Sequence, residues 1–464
     1  MRITFLGGAR EVTGSMFLLE TPNGKLLVDC GFHQGRRAES RRRNRELPRE
    51  AVTAHAVLLT HAHIDHSGSL PTLVKTGFRG AIYATPATRD LSSYMLRDSA
   101  RIQESDASYL NRKFANDPEF TKVEPVYTED DAVRTLERIV GVPYERAFEP
   151  IPGVTARFLD AGHILGSAQI VLDVTTNEGG RRLVFSGDLG RKGLPIIKDP
   201  VYPQGPIDCV VMESTYGNRV HDDIDRTSSE LARIIRETVA RGGKVIVPAF
   251  AVGRTQELIY ALHRLVRAGT LPEIPVFVDS PLAINVTEVF KLHPDCFDAE
   301  TRAFLEEHGD PFGFESVRFV SSRTESIRLN DLRGPAVIIA ASGMAEAGRI
   351  LHHLRNHVGN PEDTILIVGF MAQHTLGRRL LERRPRVRIW GVERELKARV
   401  ETLTGFSAHA DRNDLLAYAR ACAKARRFLL VHGEPEQQDS LSTAMAREGM
   451  LVGIPTLNEV VPLD

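Results

Sequence analysis

Along the first half of the chain, apolar residues alternate with polar ones or gather in short blocks, the spacing of half-buried and buried β-strands. MRITFLG at the start reads as a strand. SMFLLETPNGKLLVDCG reads as a hairpin turning at Asn23-Gly24, and AHAVLLT as a further strand. Helical spacing takes over from roughly Ala87 to Phe114. VTARFLDAGH then predicts a strand, SAQIVLDVTTNEGGRRLVFSGD a second hairpin turning at Gly179-Gly180, and IDCVVMEST a last strand. From about residue 225 the pattern changes to helix, glycine, strand: SSELARIIRETVARGG before KVIVPAF, and TQELIYALHRLVRAG before IPVFVDS. AVIIAASG, GRILHHLRNHVG and TILIVGF repeat it. Such units build a parallel sheet flanked by helices, so a second α/β domain is expected. LLAYARACAKARRFLLVHGEP closes with a helix and a strand that ends in a histidine-bearing loop.

Composition narrows this little. The 464 residues suit two or three domains at about 150 residues each. With 42% hydrophobic and 26% charged residues, a disordered or fibrous chain is excluded. The net charge of -1 gives no global attraction to polyanions, so any nucleic-acid binding has to be local. Four scattered cysteines form no disulfide framework, and no apolar run approaches the ~20 residues of a membrane span. A cytoplasmic protein without membrane contact is expected. Two arginine-rich runs, at 35–50 and 377–388, also carry glutamates and read as solvated faces.

LLTHAHIDHSG changes the picture. His61, His63, Asp65 and His66 follow an apolar strand within six positions. Residues two apart on an extended segment face the same side, so His61 and His63 can grip one ion while Asp65 and His66, past the turn, reach a second. Other strand ends offer the missing ligands: His163 in DAGHILGSAQ, Asp188 in VFSGDLG and His432 in FLLVHGEP, each beside a glycine. The FLGGAREVTG segment mimics a dinucleotide loop, but a strand rather than a helix follows it. Surface or packing roles are the default for His352, His353 and His357, and His374 stands outside the proposed set.

In order, Asp29 in LLVDCG, the H-x-H-x-D-H loop, His163 and Asp188 resemble the motifs of the metallo-β-lactamase superfamily. Glu213 in MESTYG, His409 in GFSAHAD and His432 in LVHGE resemble its β-CASP branch, which processes nucleic acids. The likeness covers essentially the whole chain, and a histidine at the last motif is similar to the RNA-processing members. It implies an α/β fold, a metallo-β-lactamase αββα sandwich with an inserted β-CASP domain, divided as 1–216, 217–397 and 398–464. No counterpart is expected of the extra carboxy-terminal domain of RNase J or of the amino-terminal KH domains of archaeal relatives.

The resemblance implies a two-metal ribonuclease. One ion takes His61, His63 and His163, the other Asp65, His66 and His432, with Asp188 bridging and a shared hydroxide attacking phosphorus. Imidazole and carboxylate without thiolate suit zinc best, two Zn2+ per chain, and manganese is compatible with the same geometry. Asp29 orients a ligand from behind. His409 is the expected general acid, held by Glu213, so Asp65, Asp188, Glu213 and His409 form the catalytic group. Arg254, Ser342, Gly343 and Arg349 are expected to bind phosphate, with Ser342 and Gly343 at the start of a helix and Arg349 in its first turns. The expected partner is single-stranded RNA, in a cleft between the metal-binding domain and the 217–397 insertion; monomer and homodimer both fit the sequence. Two other functions compete: hydrolysis of a small ester or thioester, which leaves Glu213 and His409 idle, and a non-catalytic RNA-binding scaffold, which leaves seven ligands idle.

Overall fold

Two seven-stranded sheets organise the first part of the computed structural model, which describes residues 1–463 except positions 36, 118, 119, 178, 370, 372, 373 and 423. One sheet runs, in spatial order, Val460–Pro462, Arg2–Gly7, Met16–Thr21, Gly24–Val28, Ala56–Leu58, Ala81–Ala84 and Ile139–Gly141. The other runs Val452–Gly453, Ala425–Val431, Ile207–Glu213, Gly179–Phe185, Ala168–Thr176, Val154–Asp160 and Phe148–Ile151. Their inner faces share one core, in which Ile3, Phe5, Phe17, Leu26 and Leu58 meet Phe158, Ile170, Phe185, Val211 and Val431.

Outer faces are covered as well. Leu18, Leu27 and Val57 pack against Leu70, Leu73 and Phe78; Val210, Met212 and Leu430 pack against Leu415, Tyr418, Leu441 and Met445. Helices therefore lie on both outer sides of the paired sheets, the αββα order. This accounts for strands such as FLLV at 428–431, which lack alternation: Phe428 and Leu430 face the helices while Leu429 and Val431 face the other sheet.

The chain folds as two compact units, one of residues 1–192, 199–220 and 409–464, the other of 193–198 and 221–408. The second is built on a six-stranded parallel sheet, ordered Val317–Phe319, Val276–Val278, Ala336–Ala340, Lys244–Pro248, Thr364–Ile367 and Arg399–Thr402. Helices such as Ile224–Ala240, Arg254–Arg267 and Ile350–His357 connect these strands, as the helix-glycine-strand pattern predicts. A separate hairpin pairs Arg386–Ile389 with Val392–Glu395.

Two local expectations are corrected. Gly179 pairs with Thr176 and Gly180 with Thr175, so these glycines open the return strand of the second hairpin rather than form its turn. Ser342 and Gly343 do not start a helix, because the helix begins only at Ile350 with Arg349 at its N-cap. Between them the chain loops back on itself, with Ser342 N–H donating to Ala347 O and Ile350 N–H to Ala341 O.

Candidate metal centre

Four strand ends on the first unit supply the chemistry. His61 and His63 follow Ala56–Leu58, His163 follows Val154–Asp160, Asp188 follows Gly179–Phe185 and His432 follows Ala425–Val431. Asp65 and His66 sit on the short helix Ile64–Ser67. The structure brings all seven together in two groups, His61 with His63, His163 and Asp188, and Asp65 with His66 and His432.

Distances within the groups are those of converging lone pairs. His63 Nδ1 lies 3.2 Å from both His61 Nε2 and His163 Nε2. His66 Nε2 and His432 Nε2 are 3.3 Å apart, and Asp65 Oδ2 is 3.5 Å from the latter. Asp188 stands between the groups: Oδ2 is 3.6 Å from His61 and His163, while Oδ1 is 3.3 Å from His66 Nε2 and His432 Nδ1. Buried Asp188 Oδ1 has no hydrogen-bond partner among the described residues, although two ring nitrogens flank it. A buried acceptor left in that state costs free energy, and a cation resolves it. The donor set, imidazole and carboxylate without sulfur, fits a divalent metal.

Residues behind the ligands fix which nitrogen faces inward. Asp29 accepts from Thr60 N–H and from the Thr60 hydroxyl, each at 2.8 Å, and lies 2.7 Å from His66 Nδ1. The Thr60 oxygen, its proton committed to Asp29, accepts from His61 Nδ1 at 3.0 Å. Both histidines are thereby held through Nδ1, which directs Nε2 toward the centre. Thr60 was not read from the sequence, although it directly precedes His61. Nor was Thr215, whose hydroxyl lies 3.1 Å from His432 Nδ1 and 3.2 Å from its carbonyl. The glycine-rich 5–14 segment also has a place here: Gly8 O accepts from His432 N–H at 2.7 Å and Glu11 O from Gly433 N–H at 3.2 Å. Asp29 and His432 both hold left-handed backbone conformations, φ 59 and 47, rare for residues with a side chain.

Electrostatics favour ligation on one side of the centre. Burial lowers His61, and its imidazole neighbours add to this; burial likewise brings His63 to about 4, so both rings are neutral at ordinary pH. Burial opposes the charge on Asp188, but the imidazoles of His432 and His66 outweigh it and hold the carboxyl well below its usual range. For His66, burial is outweighed by Asp188 and Asp29, which raise it, so a metal there competes with a proton.

Glu213 and His409 form a third group with Asp188. Buried Glu213 accepts from Leu189 N–H at 2.6 Å and from Thr215 N–H at 3.2 Å, and Oε1 lies 3.3 Å from His409 Nδ1. His409 is 20% exposed and 3.9 Å from Asp188 Oδ2. Burial disfavours its charge, but Glu213, with Asp188 and Asp65 adding to it, more than offsets that and lifts the imidazole to about 9.

The four residues expected to bind phosphate lie in the second unit. Arg254 opens the helix Arg254–Arg267, is nearly buried and pairs with Glu257. Arg349 donates to Asp279 at 2.7 Å and to the carbonyls of Val320 and Ser321. The Ser342 oxygen accepts from Glu346 N–H and Ala347 N–H, and Gly343 lies against Phe250. His353 and His357 are buried packing residues paired with Asp279 and Asp363, each at 2.7 Å.

Gly31 offers a test of how tightly the second group is held. A Cβ there would stand 1.7 Å from Asp65 O, in a segment stitched to the ligand loop by Cys30 N–H to His66 O and Phe32 N–H to Ile64 O. Gly31→Ala is expected to cost about 1–3 kcal/mol of stability through overpacking. It should also weaken metal retention, read by thermal melting alongside elemental analysis.

Comparison with known proteins agrees with this geometry. Family models match as the metallo-beta-lactamase superfamily over 9–249, the Beta-Casp domain over 255–380 and the Zn-dependent metallo-hydrolase RNA specificity domain over 393–455. A protein named as a ribonuclease from Thermus thermophilus is 36% identical over 464 residues, all of both chains. Proteins named transcription termination factor FttA are similar: 32% identical in Pyrococcus horikoshii, over 97% of this chain and 68% of that one, and 29% identical in Methanosarcina mazei, over 97% and 69%. A solved structure of a protein of unknown function from Enterococcus faecalis shares the fold at 12% identity and TM-score 0.52, over 99% of each chain. With ligands at the strand ends of an αββα sandwich and all three family models in register, the chain belongs to the metallo-β-lactamase superfamily, in the branch that carries a Beta-Casp domain.

Proposed function

We propose that this chain is a ribonuclease that hydrolyses phosphodiester bonds of single-stranded RNA with two zinc ions in the centre, leaving 5′-phosphate and 3′-hydroxyl ends. The observation that carries the reading is the Glu213–His409 pair beside the seven ligands. A metal cluster alone serves many hydrolases, but a buried carboxylate aiming an imidazole at the edge of that cluster supplies the proton that a departing sugar oxygen needs. The match to an RNA specificity domain and the relative named as a ribonuclease support RNA as the substrate.

Bound divalent ions supply an activated water at neutral pH and neutralise phosphate charge. The side chains do the rest. His409 Nδ1 is held by Glu213, so Nε2 carries the proton toward the 3′ oxygen. As water oxygen bonds to phosphorus in line, the P–O3′ bond breaks, O3′ leaves protonated on the upstream fragment and the phosphate stays on O5′ of the downstream fragment. Arg254, Ser342, Gly343 and Arg349 stand as proposed phosphate contacts; Arg349 would have to exchange its bond to Asp279 for one to phosphate. A reducing, cytoplasmic setting fits the four cysteines, all of them buried. Among the described residues, no helix is long and apolar enough to cross a membrane.

Metal-loaded protein incubated with 5′- and 3′-labelled RNA tests this, with matched duplex RNA, single-stranded DNA and a thioester in parallel. Single-stranded RNA should be cleaved fastest, to 5′-phosphate and 3′-hydroxyl ends, with binding that weakens as salt rises. Equal rates on single-stranded and duplex RNA would remove single-strand preference, faster turnover of DNA would refute the choice of RNA, and thioester hydrolysis without RNA cleavage would replace the reading.

A further inference from the structure

The one tryptophan of the chain occupies a place that fold stability does not explain. Trp390 and Gly391 form the two-residue turn of the hairpin Arg386–Ile389/Val392–Glu395, with Ile389 paired to Val392. Their φ values, 49 and 81, are those of a turn that favours Asn-Gly or Gly-Gly. A bulky ring at the first position is unfavourable for the backbone. Packing compensates only in part, since Trp390 is 50% exposed and neighbouring Val392 is 55% exposed, while Val387 and Ile389 of the same hairpin are buried.

What surrounds the ring is cationic and aromatic. From the outer face of helix Ile350–His357, the exposed His352 ring meets Trp390 edge-on at 4.4 Å, and the Arg355 guanidinium lies 5.7 Å from its centroid. The same hairpin strand packs against helix Leu376–Leu381, where a pocket of about 460 Å³ is lined by His374, Arg378, Arg379, Glu382 and Arg384. Arg378 and Arg384 share the single carboxylate of Glu382, at 2.9 Å each, so the pocket keeps positive charge. From 377 to 399 there are nine Lys or Arg against three Glu, in a chain whose net charge is -1. Its first part, 377–388, reads as a solvated face in the sequence; in the fold that part leads into the hairpin whose turn exposes the indole.

We propose that Trp390 is a stacking platform for a base of single-stranded RNA, and that the Arg378, Arg379 and Arg384 pocket binds the phosphates of the same strand. This rests on the reading of RNA as the substrate. Aromatic faces flanked by arginine are the means by which proteins hold single strands without reading sequence. The six residue-to-residue steps from Arg384 to Trp390 span about 20 Å at ~3.3 Å per extended residue, which matches a few nucleotides. A second copy of the chain is disfavoured as occupant, because two surfaces of the same excess charge would repel.

Because Trp390 is the sole tryptophan, its fluorescence reports on this site alone. Full-length, metal-loaded protein is titrated with a fluorescein-labelled oligouridylate carrying hydrolysis-resistant phosphorothioate linkages. Probe anisotropy and tryptophan emission are read together, and an abasic oligomer of equal charge serves as a second probe. Binding of the oligouridylate should quench emission and the abasic oligomer should not. Trp390→Ala should weaken oligouridylate binding about ten-fold or more, while Trp390→Tyr restores most of it. Binding without quenching and with unchanged affinity in Trp390→Ala would overturn the platform and leave the ribonuclease reading intact. Equal quenching by the abasic oligomer would overturn stacking, and no binding at all would overturn both. Conversion of a dimer to a monomer by Trp390→Ala, with RNA affinity unchanged, would assign the patch to self-association instead.

Discussion

Asp188→Ala is expected to strip the centre of metal and bring RNA cleavage to background, a greater loss than removing any one histidine. The reason is its position. Each histidine belongs to one group of donors, whereas Asp188 faces His61 and His163 with one oxygen and His66 and His432 with the other. Its removal takes a ligand and a negative charge from both groups at once. Losing a partner that only orients a ligand, such as Asp29, should cost about 10- to 100-fold in metal affinity, and Asp188 should exceed that. Elemental analysis should find about two zinc-like ions per chain in the parent protein. Asp188→Asn, close in shape but uncharged, should lose metal as well, which separates charge from packing, and circular dichroism checks that both variants fold. A single tight site in the parent, with Asp65, His66 and His432 all away from it, would defeat the two-ion reading.

Much of this centre is legible in the chain because strand ends concentrate function, and because alternation within a strand dictates which side chains share a side. His61 and His63 are readable for that reason, and so are the hairpin at Asn23-Gly24 and the parallel βαβ half. The supporting residues are less legible. Thr60 and Thr215 are ordinary threonines whose role appears only when Asp29 and His432 arrive from remote parts of the chain. The loop Gly8–Glu11 holds His432 through backbone carbonyls, which leave no side-chain signature. Ser342 misleads for a different reason. After the strand Ala336–Ala340, a serine and glycine ahead of an amphipathic stretch read as a cap, but the chain first closes a loop from Ala341 to Ile350, so the helix starts later. Trp390 shows the opposite case: its type is visible in the sequence, whereas its exposure at a turn belongs to the fold.

Replacing His409 separates proton donor from ligand. In the structure, His409 Nδ1 faces Glu213 at 3.3 Å and stands farther, at 3.9 Å, from Asp188, while its ring lies 4.4 Å from that of His163. An imidazole so placed borders the donor cluster, and it shares its nearest carboxylate with backbone N–H groups of Leu189 and Thr215 rather than with the other ligands. His409→Ala should therefore lower cleavage by roughly 10²- to 10⁴-fold, the usual worth of general acid catalysis, with metal content unchanged. Glu213→Gln should fall short of that loss, because the amide still holds the ring in place but no longer stabilises its charge. A substrate whose leaving oxygen is already acidic, such as a nitrophenyl phosphodiester, should be far less sensitive to either change, since it needs no proton to depart. If His409→Ala instead loses an ion, the third group of Asp188, Glu213 and His409 is itself a metal site, and the proton must come from elsewhere.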